Sequence, residues 1–260
     1  MSLPSEGSFV SGRRSVAEAI RSGRARELLV AEGARATQGM REVLTQAGEA
    51  GLEVREVPRR QLDERAKDHQ GVVARVAPTR RLSERELGTW PFEPDAVVVV
   101  LDGVTDPQNL GAAARSAEAV GSAMLITRVR RAAPVTAAAV TASSGALLHL
   151  PHAHVANIPR ALDRLADRGF SVVGLDDAAG SSIYDDACPS GPVAVVVGSE
   201  GEGMARLTRE RCDTLVALPM HGRVASLNAS ASLAAVLYAY VLPSRVRSQA
   251  GADGGRAPSA

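Results

Sequence analysis

Val97-Val98-Val99-Val100-Leu101 is an unbroken apolar run, and Asp106-Pro107-Gln108-Asn109-Leu110-Gly111-Ala112-Ala113-Ala114-Arg115-Ser116 opens a helix just behind it. A short β-branched run of this kind reads as a strand buried on both faces, which is the habit of parallel sheets. Aspartate before proline suits a helix start. The pattern repeats downstream: strands are expected over 123–127, 171–175, 193–197 and 215–218, and helices over 110–120, 158–168, 207–211 and 226–240. Strands alternating with helices imply an α/β domain, a parallel sheet covered on both faces.

Upstream of Val97 the pattern is finer. Helices are expected over 12–21 and 37–50, strands over 27–30, 52–57 and 71–76, and a polar helix over 61–68. Together these make a compact α/β unit of ordinary small-domain size. Residues 78–94 are rich in charge and proline and read as a linker with a short helix at 83–87. The expected division is a tail at 1–8, a small domain at 9–77, the linker, a large domain at 95–243, and a Gly/Ala/Ser-rich tail at 244–260, with both tails disordered.

Composition narrows the classes. Aromatic residues make up 3% of the chain, so the core must rest on Val, Leu, Ile and Ala. No apolar run reaches the length of a membrane span, no secretory signal opens the chain, and Cys188 and Cys212 make no disulfide framework. A cytoplasmic protein with no membrane partner is expected. Net charge is only +1, but residues 1–81 hold 15 Lys and Arg against 11 Asp and Glu, while residues 82–260 hold 15 against 18. A phosphate-attracting surface is therefore expected in the first part. Lys67 is the only lysine, which reads as coding bias toward arginine.

Two more segments share the form of the first. Val195-Val196-Val197-Gly198-Ser199-Glu200-Gly201-Glu202-Gly203-Met204 and Leu218-Pro219-Met220-His221-Gly222-Arg223-Val224-Ala225-Ser226-Leu227-Asn228 each set glycines and polar groups after an apolar run. Ligands bind at the carboxyl ends of strands in open α/β sheets, so three such loops suggest one composite site. The glycines do not follow G-x-G-x-x-G, nor does Ser199 sit in G-x-S-x-G, so dinucleotide binding and serine hydrolysis lose support. Taken alone, Gly198 and Gly201 equally serve a plain turn, Asn109 a cap, Arg115 a solvated helix charge, and Ser226 or Asn228 an N-cap. His149, His152 and His154 are closely spaced, but zinc would need a cysteine or carboxylate from elsewhere, and no metal is expected.

The three segments, in that order, resemble the motifs of the SpoU class of SPOUT RNA ribose 2′-O-methyltransferases. The likeness runs from about residue 97 to 242 and continues more weakly through Gly12-Arg13-Arg14-Ser15-Val16 and His69-Gln70-Gly71-Val72. That extension points to the branch acting on a guanosine of 23S ribosomal RNA. The resemblance implies a SPOUT parallel-sheet domain with a trefoil knot, preceded by a ribosomal-protein-like (L30e-type) RNA-binding domain. It implies S-adenosylmethionine as methyl donor, no metal, an RNA partner that is 23S rRNA alone or within pre-ribosomal particles, and a homodimer bringing the first motif of one subunit near the cofactor of the other. The implied catalytic set is Asn109, Arg115, Glu200, Ser226 and Asn228. The implied cofactor pocket is Val197, Gly198, Ser199, Gly201, Leu218, Met220, Ser226 and Leu227. Arg13, Arg14, His69 and Arg115 are the expected RNA contacts, with Arg24, Arg26 and Arg35 as further candidates. Arginine is a poor base, since its pKa lies above about 12, so Arg115 is expected to position phosphate and hydroxyl. Ser143-Ser144-Gly145-Ala146 matches a family segment, with Thr141 where a basic residue is common. Alternatives that stay open are a tRNA target, an antibiotic-resistance site of rRNA, and a non-catalytic ribosome-assembly factor.

Overall fold

The computed structural model describes residues 8–34, 37–66, 68–77, 81–224 and 226–246. Arg35, Lys67, the start of the expected linker and most of both expected tails lie outside the described residues.

The first unit holds β1 (Ser8–Ser11), α1 (Arg13–Arg21), β2 (Ala25–Ala31), α2 (Gln38–Glu49), β3 (Glu53–Val57), α3 (Arg59–Asp63) and β4 (Val72–Val76). Its sheet runs β1-β4-β2-β3, with β2 and β3 parallel and the other pairs antiparallel. Strand alternation sorts the core. Leu28, Val30, Val72 and Ala74 face α1 and α2, while Leu29, Ala31 and Val73 meet Leu62 of α3.

The second unit holds β5 (Arg81–Ser83), α4 (Glu84–Leu87), β6 (Val97–Asp102), α5 (Pro107–Ala119), β7 (Met124–Arg128), α6 (Ala137–Ala142), β8 (His152–Val155), α7 (Ile158–Ala166), β9 (Ser171–Leu175), β10 (Val193–Gly198), α8 (Arg206–Arg209), β11 (Thr214–Val216) and α9 (Ala229–Val236). Its seven strands are all parallel in the order β11-β9-β10-β6-β7-β8-β5. β6 is buried at every position. Val97, Val99 and Leu101 face α5 and α9, and Val98 and Val100 face α7. From β6 the chain runs outward through β7 and β8, then returns to the far side as β9 and β10. The strand order reverses between β6 and β10, the switch point at which such sheets open a crevice.

Three expectations need correction. The expected linker is part of the sheet: β5 pairs with β8, and Arg168 donates to the carbonyls of Gly88 at 2.9 Å and Trp90 at 3.0 Å, fixing the rest. The expected polar helix at 61–68 is the shorter, earlier α3. The last helix, expected over 226–240, starts at Ala229 and runs through Pro243 to Val246. Proline has no N–H and its ring crowds the carbonyl four residues back, and the backbone absorbs this by widening to a π-helix over Leu237–Val241. By length and composition the helix Ala229–Val246 could cross a membrane, contrary to the sequence expectation. Here Leu233, Val236, Leu237 and Val241 are buried in the core instead.

The two units share one core. Arg24 Nε donates to the Leu148 carbonyl at 2.6 Å, Thr141 Oγ1 donates to the Ser11 carbonyl at 3.4 Å, and Glu18 pairs with His149. Thr141 thus serves the seam between units. Gly145 is required there: its φ is +93°, and a Cβ would lie 2.5 Å from Cγ of Glu18.

Candidate active site

A cleft of about 600 Å³ opens at the carboxyl ends of β9, β10 and β11. Val197, Gly198, Ser199, Glu200, Gly201, Leu218, Ser226, Leu227 and Asn228 all line it. A smaller recess of about 120 Å³ adjoins it at the carboxyl end of β6, lined by Gly103, Asp106 and Asn109 together with Ser199 and Glu200.

Each wall has a local cause. Beyond β10 the chain folds back on itself: Ser199 N donates to Gly203 O at 3.1 Å and Gly203 N to Ser199 O at 3.0 Å. A Cβ on Gly198 would stand 2.0 Å from the Gly203 carbonyl carbon, so only glycine admits this fold-back. Gly201 has φ +81°, the left-handed region that glycine enters without penalty. The loop's far end is fastened by the buried Asp102 at the tip of β6, which accepts from Ala205 N at 3.0 Å and pairs with Arg128 at 3.0 Å.

At the mouth three side chains converge from the three segments. Asn109 Nδ2 donates to Glu200 Oε1 at 2.9 Å. Asn228 Nδ2 donates to the same oxygen at 2.6 Å and to Asn109 Oδ1 at 2.7 Å. Asn228 also caps α9, its Oδ1 accepting from Ser230 N at 2.9 Å and Ala231 N at 3.3 Å. Capping and facing the site are therefore one act of one amide. Asp106 caps α5 by accepting from Gln108 N at 3.1 Å, which aims Asn109 one turn on toward the cleft.

Several expected residues fall elsewhere. Arg115 is exposed on α5, lines neither cavity of its own chain, and has no hydrogen bond or ion pair among the described residues. Ser226 lines the cleft but is not the helix cap, because Asn228 lies next to the first turn and Ser226 does not. Met220 does not line the cleft. His69 is 2% exposed and is no surface contact: it bonds Asp63 at 2.9 Å and accepts from Gly71 N at 3.0 Å, holding a turn in which Asp68 and Gln70 have positive φ. Arg13 is half-buried with its Cδ 3.3 Å from the Cβ position of Gly39, which makes it part of the α1–α2 crossing. Arg24 serves the seam between units. Arg14 and Arg26 remain exposed.

Other wall residues carry a signal that was readable. Asp176 and Asp177 follow the apolar run of β9, the same arrangement that marked the other loops. Asp176 is committed to Arg209 at 2.9 Å and Ala178 N at 2.9 Å, leaving Asp177 as the exposed carboxylate of that wall. Ser230 joins the cluster by donating to Asn228 Oδ1 at 2.6 Å.

His149 and His152 have structural partners, His149 in Glu18 and His152 in Thr127. His152 is buried and bonds Thr127 at 2.9 Å, and burial pushes it down to about 3. His154 stacks on it with ring centres 4.1 Å apart and is held at about 4. Among the described residues no cluster of three or more His, Cys, Asp or Glu is placed to hold a metal.

Comparison with known proteins places the chain in a family. The model of the SpoU rRNA Methylase family matches residues 96–238, and a model described as RNA 2′-O ribose methyltransferase substrate binding matches residues 9–82. An "Uncharacterized tRNA/rRNA methyltransferase" of Mycobacterium ulcerans is 42% identical over 232 residues, 88% of this chain and 74% of that one. The 23S rRNA (guanosine-2′-O-)-methyltransferase RlmB of Photobacterium profundum is 41% identical over 199 residues, 75% of this chain and 81% of that one. The SpoU methyltransferase AviRb from Streptomyces viridochromogenes, solved in complex with the cofactor AdoMet, has a TM-score of 0.76 at 27% identity, covering 93% of this chain and 91% of that chain.

Proposed function

This chain belongs to the SpoU rRNA methylase family, and from that premise we propose that it methylates the ribose 2′-hydroxyl of a guanosine in 23S ribosomal RNA. The observation that carries the reading is the convergence of Asn109, Glu200 and Asn228 from three separate loops at the mouth of one cleft.

The cleft fits S-adenosylmethionine. Its volume of about 600 Å³ lies within the roughly 300–1,000 Å³ usual for small-molecule sites. Val197, Leu218 and Leu227 offer apolar surface for a purine, and the folded-back glycine loop exposes backbone groups to its edge. Asp177, Glu200 and Glu202 give the opening a negative field suited to a sulfonium cation. When bound, S-adenosylmethionine supplies an activated methyl group for a ribose oxygen. The protein's contribution is placement, and orientation alone can account for several kcal/mol of barrier. Asn109 and Asn228 hold the Glu200 carboxylate from two sides, leaving its other oxygen for a hydroxyl brought to the recess.

The exposed Arg14 and Arg26 of the first unit suit RNA phosphates. A homodimer completes the site. Arg115 is exposed on α5 and lines neither cavity of its own chain, and the last helix exposes Tyr238 at 51% and Val246 at 57%. An apolar face of this kind fits a second copy, whose cleft Arg115 would then approach. The reaction belongs in the cytoplasm, where rRNA is available.

The test is transfer of tritiated methyl from S-adenosylmethionine to unmodified 23S rRNA, with tRNA assayed beside it and the labelled position mapped. One labelled guanosine in 23S rRNA is expected. Label confined to tRNA would overturn the target, and no label despite measurable RNA binding would overturn the chemistry.

A further inference from the structure

We propose that the turn leaving β7, which carries Arg130 and Arg131, is a second RNA-phosphate site, gripping the strand beside the target nucleotide from within the catalytic unit. The proposal rests on the methyltransferase reading for its substrate, and on four structural observations for its place.

The first is position. β7 runs parallel to β6 with Leu101 opposite Thr127, so the chain leaving β7 emerges beside Gly103 and Val104. Those two residues line the recess that holds Asn109 and Glu200. The second is rigidity. Val129 N donates to Val155 O at 2.9 Å and Ala133 N to Val104 O at 2.8 Å, pinning the turn at both ends to its neighbours in the sheet. The third is backbone conformation. Arg131 has φ +56°, a region that costs a non-glycine residue about 1 kcal/mol or more. Such a cost persists only where the surroundings impose it.

The fourth is charge. Arg130 and Arg131 are exposed, and neither has a hydrogen bond or ion pair among the described residues. Elsewhere in this unit several arginines find carboxylates, as Arg160 meets Glu84 at 2.6 Å, Arg211 meets Asp163 at 2.7 Å and Arg209 meets Asp176 at 2.9 Å, while Arg115 on α5 stands without one among the described residues. Asp102, the carboxylate at this end of β6, is already taken by Arg128 and Ala205 N. Acidic residues outnumber basic ones 18 to 15 over residues 82–260, so two adjacent guanidiniums without counter-charge are not forced by supply. A phosphodiester backbone offers what they lack, because a guanidinium fork matches two phosphate oxygens. Neither arginine lines the larger cleft, which separates this site from the cofactor. The small domain would then hold distant RNA while this turn fixes the strand at the reaction centre.

The test measures binding of an unmodified 23S rRNA fragment across a salt series, for the full chain and for Arg130→Ala combined with Arg131→Asn. Asparagine is chosen because it tolerates positive φ. Each phosphate contact to a single strand adds about 0.7 to the slope of log affinity against log salt. The double variant should therefore lose about 1.4 of that slope, and its KM for RNA should rise about tenfold with kcat kept. Melting temperature and S-adenosylmethionine binding should match the parent. Arg130→Ala alone, at ordinary backbone, should give about half the slope change. Unchanged slope and KM in a folded, cofactor-binding variant would overturn the proposal. A parent that transfers no methyl, yet whose salt slope falls in the variant, would sink the methyltransferase reading and leave this site standing.

Discussion

Replacing Asn228 separates the two tasks its amide performs. Its Oδ1 caps α9, and its Nδ2 holds Glu200 at 2.6 Å and Asn109 at 2.7 Å. Asn228→Ala removes both. Loss of an N-cap costs about 1 kcal/mol, so the urea midpoint should fall by that equivalent. Hydrogen bonds to a charged group are worth about 1.5–3 kcal/mol when well shielded. Here the residues are exposed, so the lower end applies, and about 1.4 kcal/mol is tenfold in rate. Asn228→Ser divides the effects. Serine caps as well as asparagine but lacks the amide donor and the reach to Glu200. The serine variant should be about 1 kcal/mol more stable in urea than the alanine variant, the worth of the cap, yet lose the same tenfold or more in initial rate of methyl transfer. A serine variant with full turnover would refute the role assigned to the amide donor. An alanine variant with undiminished stability would refute the cap.

Three further outcomes follow from the geometry. Gly198→Ala places a Cβ 2.0 Å from backbone and should cost about 3 kcal/mol or more, whereas Gly201→Ala, at φ +81° in open space, should cost about 1–2 kcal/mol; thermal melts that reverse this order would contradict the fold-back. Burial holds His152 at about 3 against an ordinary 6.5, so its contribution is whole above pH 6.5 and declines as the pH falls toward 3, because the unfolded chain takes up a proton that the folded one resists; at pH 5.5 the loss is about 1.4 kcal/mol. Urea midpoints at pH 7.5 and 5.5 should therefore differ less in His152→Gln than in the parent, and equal differences would count against a buried neutral imidazole. Burial raises the thiols of Cys188 to about 11 and Cys212 to about 12, so iodoacetamide at pH 8 should label the native protein at least about tenfold more slowly than the urea-unfolded chain by mass spectrometry, and equal rates would contradict that burial.

The strands with uninterrupted apolar runs were legible because burial on both faces leaves a one-letter pattern, and β6, β9 and β10 lie where that pattern put them. β8 was not, since a four-residue strand beginning at His152 shows no apolar run, and its His152 is held by Thr127 with the His154 ring beside it. β5 was hidden because an edge strand of three residues, with only Leu82 buried, looks like linker. The candidate site was legible as three loops but not as an arrangement. Asn109 meets Glu200 across 91 residues and Asn228 across 119, and no local rule fixes such distances. His69 misled because a histidine in a polar turn looks exposed, while its two hydrogen bonds draw it inside. Gly198 was legible as a turn or pocket glycine, but the close approach that requires glycine there, the chain's own backbone at Gly203, was not.

The account's central claim is that the cleft directs a methyl group onto a ribose oxygen. Alkaline hydrolysis of RNA labelled with tritiated methyl tests it most directly, because the hydrolysis requires a free 2′-hydroxyl. The account predicts that the label survives in an alkali-resistant dinucleotide whose first residue is a guanosine, and that Asn109→Ala removes it. Label released as an ordinary mononucleotide would mean a methylated base, and would contradict the mechanism drawn from Asn109, Glu200 and Asn228.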